Sequence, residues 1–219
     1  MLVKPKLALS FDVEATGERP GEGKGSMVML GVVAIKLSPL DDAEFIVSEE
    51  NQTEWILEKK LWSLSELDGR SERCWSEFWM KHLDVWEFIN KHKKHPSVVM
   101  MELNDWLNEL SEQYDWYWVA NPAAFDWAWL KYTWEKYMIE WYFNDQNNIR
   151  YANIGYKAEC MNGYKHYQIL TEEEMSTLSA YHSPNKLEVT HNALDDAMCQ
   201  GYKYVKSIEW FKRHFRKNQ

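Results

Sequence analysis

The stretch LSFDVEATG, residues 9–17, places two carboxylates, Asp12 and Glu14, inside an otherwise apolar run. A short apolar run of this kind predicts a buried β-strand, in which side chains alternate between the two faces. Asp12 and Glu14 therefore point to the same face, where each raises the pKa of the other unless a cation lies between them. Hard divalent cations with oxygen ligands, Mg²⁺ or Mn²⁺, fit such a pair. Taken alone, the pair supports a metal site and a solvated strand end equally.

Length and composition predict one soluble domain that spans residues 1–219. The chain has 45% hydrophobic and 27% charged residues, without an internal repeat, low-complexity tract or linker. Its net charge of −9 argues against a uniformly basic nucleic-acid-binding surface, but is compatible with a local basic strip or a substrate held through metal ions. Three well-separated cysteines predict free thiols. The absence of a signal peptide and of a long apolar run predicts a soluble intracellular, cytoplasmic protein with no membrane partner.

Hydrophobic periodicity predicts strands first and then alternating helices and strands. Strands are predicted at 7–13, 27–37, 44–48, 115–121 and 149–154, and helices at 98–110, 123–137 and 193–216, with helical spacing also from residue 71 to Pro96. The second and third strands are expected to form a hairpin through the turn at 39–42. This order predicts an α/β fold in which a mixed five-stranded sheet is flanked by helices.

Three further candidate residues lie near the starts of two predicted helices. Asp126 lies early in a helix among apolar neighbours, and taken alone it suits a structural role that the helix dipole stabilises. His191 and Asp196 are five residues apart where the last helix opens, so that Asp196 faces the sheet. Asp195 points about 100° away from Asp196 on the same helix, which favours a supporting role for it.

The order of these motifs resembles the DEDDh exonucleases of the ribonuclease-H-like superfamily. The resemblance is carried by Asp12 and Glu14 on the first strand, Asp126 on a middle helix, and His191 and Asp196 opening the last helix. The sequence HNALDDA, residues 191–197, is similar to the oligoribonuclease and ribonuclease T pattern, and the Trp-rich segment 74–95 is similar to a segment of phage exonuclease A-like enzymes. The three motifs and the elements that hold them span residues 7–205.

The resemblance implies a ribonuclease-H-like fold and a 3′–5′ exonuclease that uses two Mg²⁺ or Mn²⁺ ions. Asp12 would bridge both ions, Glu14 and Asp196 would complete the shell of one, and Asp126 would hold the second through water. His191 would act as general base. The substrate would be the 3′ end of single-stranded RNA or DNA, with RNA slightly preferred, and the products nucleoside 5′-monophosphates. The resemblance also implies a contact between Thr16 and the substrate, and it leaves a homodimer open.

Two other functions remain open at this point. One is a catalytically silent nucleic-acid-binding module of the same fold, although all four acids and the histidine are present. The other is a phosphohydrolase that acts on small nucleotides.

Two surfaces are also ambiguous from the sequence. Trp75 or Trp79 would stack on a base, or the Trp-rich segment would form an amphipathic core helix. The cations of the last helix would contact phosphates or would only face solvent; they are Lys203, Lys206, Lys212, Arg213, Arg216 and Lys217.

Overall fold

Two central strands with almost no exposed residues organise the molecule. The computed structural model describes residues 4–42, 44–48, 50–142, 159–160 and 191–215. β1 (Lys6–Ala15) and β2 (Met27–Lys36) are buried along nearly their whole length. A strand that is buried on both faces carries a continuous apolar run, which is the pattern of these two segments.

The predicted α/β class with a mixed sheet is confirmed. β1 pairs antiparallel with β2 and parallel with β4 (Asp115–Ala120), and β2 pairs antiparallel with β3 (Ile56–Ser63). The four strands lie in the order β3-β2-β1-β4, and the two-residue β5 (Glu159–Cys160) adds to β4. The helices are α1 (Gln52–Trp55), α2 (Glu72–Glu77), α3 (Leu83–His92), α4 (Pro96–Gln113), α5 (Ala123–Tyr142) and α6 (Ala193–Phe215).

Alternate residues of β1 face two different helical layers. Leu7, Leu9 and Phe11 belong to the core that β1 shares with α4 and α5. Ala8 packs in the other core with α6, and the Ser10 hydroxyl donates to the Ala197 carbonyl at 2.8 Å. Asp12 and Glu14 continue the second series, because they lie an even number of residues after Ala8. The alternation thus turns both carboxylates toward α6.

Gly31 lets α6 approach the sheet closely. It pairs with Asp12 across the β1–β2 ladder, and a Cβ added at Gly31 would lie only 2.2 Å from the carbonyl carbon of Ala193. No side chain larger than hydrogen fits at this position without moving the helix. The start of α6 carries the third predicted motif, and it is therefore held directly above the first motif, Asp12 and Glu14 on β1.

The predicted third strand at 44–48 is wrong, and β3 lies at 56–63 instead. The Asn51 side chain accepts a hydrogen bond from the Ser48 N–H and donates one to the Ile46 carbonyl, both at 2.8 Å. These local bonds satisfy backbone groups that a strand would have used in a ladder. The hydrophobic periodicity of the sequence does not predict β3, because charged residues interrupt its apolar pattern, as is common in edge strands. The predicted strand at 149–154 lies outside the described residues.

The Trp-rich segment does not form the continuous helical run that its spacing predicts. It is divided into α2, a 3₁₀ turn at Trp79–Lys81, and α3. The indole N–H of Trp79 donates to the Ala15 carbonyl at 3.1 Å, and its ring is fully buried. Base stacking by Trp79 is therefore excluded, whereas the half-buried Trp75 lies beneath the guanidinium of Arg70.

Two further sequence predictions concern cysteines and membranes. Cys74 and Cys199 are free thiols, as predicted. None of the helices in the described part of the chain combines the length and apolarity needed to cross a membrane.

Candidate active site

Asp12 and Glu14 lie near the carboxyl end of β1, and both are largely removed from water. Gln200 of α6 donates through its side-chain amide to Oδ1 of Asp12 at 2.7 Å. Burial, followed by the neighbouring charges of Asp126, Glu14 and Asp196, raises the pKa of Asp12 to about 9, against the lowering effect of the Gln200 hydrogen bond. Burial, followed by repulsion from Asp196 and Asp126, raises the pKa of Glu14 to about 9.

Asp126 reaches this pair from the first turn of α5. Its Oδ1 accepts a hydrogen bond from the backbone N–H of Val13, the residue between the two β1 acids, at 3.2 Å. Its Oδ2 is buried and has no hydrogen-bond partner among the residues that the structure describes. Burial raises the pKa of Asp126 to about 7, although hydrogen bonds from backbone N–H groups lower it. A buried carboxylate oxygen without a donor is costly unless a cation or water binds it.

The start of α6 brings His191 and Asp196 to the same place. Oδ2 of Asp196 accepts a hydrogen bond from the His191 backbone N–H at 3.1 Å, and His191 has a φ of 56°, in the left-handed region. Asp196 is buried, whereas Asp195 is exposed, as their positions on the helix predict. Glu14, His191 and Asp196 each offer one ligand atom, and these three atoms lie within 4.8 Å of one another. The structure therefore brings together Asp12, Glu14, Asp126, His191 and Asp196.

The His191 ring packs against two rings of the Trp-rich segment. Its centroid lies 4.7 Å from that of Phe78 in an edge-on arrangement and 4.3 Å from that of His82. Burial and the neighbouring His82 lower the pKa of His191, while Asp196 has the opposite effect. The neutral imidazole, which can accept a proton, is thereby favoured near neutral pH.

The residues in this cluster fit divalent metal ions. Carboxylates gathered from β1, α5 and α6 repel one another, which adds to the raised pKa values of Asp12 and Glu14, and Oδ2 of Asp126 lacks a partner among the described residues. A bound cation would remove both penalties. Carboxylate oxygens are the donors that Mg²⁺ and Mn²⁺ prefer, and a neutral imidazole is compatible with Mn²⁺.

A cleft of about 400 Å³ opens beside Glu14. Two aromatic rings line it, Phe78 from the Trp-rich segment and Phe125 from α5, and Phe125 is 41% exposed. Arg73 at its rim pairs with Glu18 at 2.7 Å and with Glu77 at 3.0 Å. The cleft thus offers apolar rings beside the carboxylates and one cation at its edge.

Thr16 is fully buried rather than exposed to this cleft. Its hydroxyl donates to the Gly69 carbonyl at 2.8 Å and accepts from the Ser26 N–H at 2.8 Å. These bonds tie the end of β1 to the loop before β2 and to the loop after β3. The contact between Thr16 and a substrate stays a prediction, and the exposure of the side chain does not support it.

Three neighbours of the site carry no motif that identified them in the sequence. Phe78 and His82 contact His191, and nothing in their spacing indicates it. Gln200 lies four residues after Asp196, on the same helix face, and this spacing is the one available signal. Its amide joins two motifs, because its Oε1 accepts from the Asn121 N–H at 2.9 Å while its Nε2 donates to Asp12.

Two cations of the last helix make ion pairs within the protein. Lys206 pairs with Glu209 at 3.2 Å. Lys212 pairs with Asp41 at 2.9 Å and also donates to the Leu40 carbonyl. For these two lysines the structure favours a structural role over contact with phosphates.

Comparison with known proteins identifies this fold among nucleases. No protein-family model matches the sequence, and neither does any curated protein. The nuclease domain of 3′hExo, a DEDDh family member bound to rAMP, has a TM-score of 0.55 at 15% identity, over 92% of this chain and 91% of that one. S. pombe Pop2p in its Mg²⁺- and Mn²⁺-bound form has a TM-score of 0.55 at 11% identity, over 99% and 86%. A 3′-exonuclease that recognises the histone mRNA stem-loop has a TM-score of 0.53 at 14% identity, over 93% and 81%.

At these identities the likeness establishes the fold. The predicted resemblance is confirmed at that level: the chain has the fold of the DEDDh 3′-exonuclease nuclease domains.

Proposed function

We propose that this protein is a metal-dependent 3′–5′ exonuclease that hydrolyses single-stranded nucleic acid to nucleoside 5′-monophosphates. The observation that carries the proposal is the convergence of four carboxylates and one histidine from three separate segments. The raised pKa values of Asp12, Glu14 and Asp126 indicate that the cluster is electrostatically unfavourable without a cation. A buried arrangement of this kind destabilises the fold, and clustered, strongly perturbed acids of this kind are characteristic of functional sites.

The carboxylates of Asp12, Glu14, Asp126 and Asp196 would hold two Mg²⁺ or Mn²⁺ ions. Such ions, when bound, neutralise the scissile phosphate and stabilise the attacking and leaving oxygens. Gln200 fixes the Asp12 carboxylate through a hydrogen bond, and the Val13 N–H fixes that of Asp126.

His191 would take the proton from the attacking water. Its lowered pKa keeps the imidazole neutral, and its ring lies beside Glu14 and Asp196. The terminal nucleotide would enter the cleft between Phe78 and Phe125, where apolar rings can contact a base. The nuclease domain of 3′hExo bound to rAMP has the same fold, which agrees with a nucleotide ligand.

The test uses a single-stranded RNA and its DNA counterpart, each labelled at the 5′ end and incubated with Mg²⁺ or Mn²⁺. We expect a ladder that shortens from the 3′ end and nucleoside 5′-monophosphates as products, with RNA degraded somewhat faster. The Asp12→Ala variant should give no ladder, and Glu112→Ala, an exposed acid of α4 that does not line the cleft, should retain one.

Other outcomes would assign another function. If neither polymer is cleaved although Mg²⁺ or Mn²⁺ binds, the exonuclease proposal fails and a silent nucleic-acid-binding module takes its place. If only mononucleotide esters are hydrolysed, the site belongs to a phosphohydrolase of small nucleotides. Equilibrium sedimentation of the same preparation tests the homodimer that the resemblance leaves open.

A further inference from the structure

A second pocket lies on the Trp-rich segment, separate from the catalytic cleft. It has a volume of about 480 Å³, and none of its lining residues lines the cleft. We call it the Trp86 pocket; its polar and aromatic wall is formed by Ser65, Arg70, Trp86, Asn90 and Lys93. The buried side chains of Val28, Leu64 and Ile89 also line it. The pocket thus lies between the end of β3 and the outer face of α3.

The Trp86 pocket carries positive charge in an acidic protein. Arg70 and Lys93 line it together with one acid, Glu66, whereas the chain as a whole has a net charge of −9. Lys93 is exposed, and its Nζ donates to Oδ1 of Asn90 at 2.9 Å. Lys91, two residues earlier, is also exposed. In the described part of the chain, neither lysine is paired with an acid, so both charges are available to an anion.

A guanidinium group and an indole ring line the same pocket. The Arg70 guanidinium lies 4.2 Å from the centroid of the Trp75 ring and 5.9 Å from that of Trp86, and its Nε pairs with Glu66 at 3.2 Å. This arrangement holds the guanidinium plane and the Trp86 indole at one wall. Arginine planes and indoles stack on nucleobases, and lysines and arginines contact phosphates.

The pocket is within reach of a strand whose end lies at the catalytic cluster. The ring of Trp86 lies 4.9 Å from that of Trp79, Trp79 lies 5.0 Å from Phe78, and Phe78 lies 4.7 Å from His191. These contacts place Trp86 and His191 at most about 15 Å apart. A strand of a few nucleotides can span that distance.

We propose that the Trp86 pocket binds a nucleotide of the single-stranded substrate upstream of its scissile 3′ end. This inference rests on the proposed exonuclease function. Lys93 and Arg70 contact the phosphodiester backbone, and Trp86 with Asn90 contacts the base. The pocket therefore adds affinity for chains of several nucleotides and adds nothing for a mononucleotide.

The test compares a 12-nucleotide single strand, as RNA and as DNA, with the p-nitrophenyl ester of thymidine 5′-monophosphate, which occupies only the catalytic cleft. Lys93→Glu is the main variant, because Lys93 is an exposed lysine that lines the pocket. Lys131→Glu on α5, an exposed lysine that does not line the pocket, changes the net charge equally. Binding of the labelled 12-nucleotide strand is measured in EDTA by fluorescence anisotropy, and turnover in Mg²⁺.

We expect Lys93→Glu to weaken binding and raise KM for the 12-nucleotide strand by about three- to tenfold, because it removes and repels a phosphate contact. Its kcat for that strand and its kcat/KM for the ester should be unchanged. In Lys93→Ala, the slope of log affinity against log salt should fall by about 0.7. Lys131→Glu should resemble the wild type in all of these measurements.

Equal affinity of the wild type and Lys93→Glu for the strand would overturn the inference, as expected if the pocket instead docks another protein. An equal loss in Lys131→Glu would also overturn it, because the effect would then be one of overall charge. Failure of the proposed function is distinguishable, because the wild type would then hydrolyse neither the strand nor the ester, while the binding comparison in EDTA would still test the pocket.

Discussion

Replacement of Glu14 by glutamine should stabilise the metal-free protein. In the folded state the pKa of Glu14 rises from 4.5 to about 9, mainly through burial and then through the charges of Asp196 and Asp126. In the unfolded chain the carboxyl ionises from about pH 4.5, so between these two values the folded state binds one more proton than the unfolded state. The contribution of protonated Glu14 to the free energy of unfolding is therefore fully present below pH 4.5 and is lost as the pH rises toward 9.

The magnitude follows from the pH interval. Each pH unit in this window costs about 1.4 kcal/mol of unfolding free energy, so that about 3 kcal/mol is lost between pH 4.5 and pH 7. Glutamine has almost the same shape and does not ionise in either state. The unfolding free energy of Glu14→Gln should thus exceed that of the wild type by about 3 kcal/mol at pH 7. For a chain of this length, this difference raises Tm by about 6–12 °C.

The assay is urea unfolding in EDTA at pH 5, 7 and 8, repeated at pH 7 with saturating Mg²⁺. The advantage of Glu14→Gln should be small at pH 5 and grow with pH, and Mg²⁺ should stabilise the wild type more than the variant. Glu18→Gln is the control, because the Glu18 side chain is 66% exposed and its replacement should change stability by less than about 0.5 kcal/mol. A Glu14→Gln variant that is no more stable than the wild type at pH 7 would refute the reasoning. The same difference in unfolding free energy between the two proteins at pH 5 and pH 8 would also refute it.

Three more substitutions test the site. His191→Gln should lower kcat by a factor of about 10²–10⁴ without unfolding the protein, and an unchanged kcat would remove His191 from the mechanism. Because the pKa of His191 is lowered, the acid limb of the wild-type pH–rate profile should lie below pH 6.5. Gln200→Leu should lower kcat, and it should lower the unfolding free energy by about 1–3 kcal/mol, because it leaves the Asn121 N–H without its acceptor and Asp12 without its donor. An increase of stability in urea would contradict this role of Gln200. Gly31→Ala should cost about 1–3 kcal/mol and reduce kcat, because its Cβ meets the backbone of Ala193; wild-type unfolding and turnover would show that α6 does not depend on the close approach.

Local sequence was sufficient for the elements that build the centre of the molecule. The apolar runs of β1 and β2 and the helical spacing of α4, α5 and α6 reflect burial, which period and composition express residue by residue. The same local geometry placed Asp12 and Glu14 on one face and turned Asp196, not Asp195, toward the sheet. The candidate site was predictable because its acids lie in short motifs whose spacing follows strand and helix periods.

Other features depend on contacts between segments that are distant in the chain. β3 is an edge strand whose charged residues hide it, and local hydrogen bonds of Asn51 replace the strand that the apolar residues at 44–48 suggested. Gln200 joins Asp12 to Asn121, and Phe78 and His82 contact His191, through pairings that no period encodes.

The sequence by itself thus determined which residue types can bind metal and which face of each element they occupy, because those properties follow from covalent geometry and local burial. Only the tertiary structure decided that the acids of β1, α5 and α6 meet, that Asp126 keeps a carboxylate oxygen without a described partner, and that burial raises the pKa values of Asp12 and Glu14. Desolvation and charge repulsion depend on distances across the fold, and these are fixed when α6 packs against Gly31.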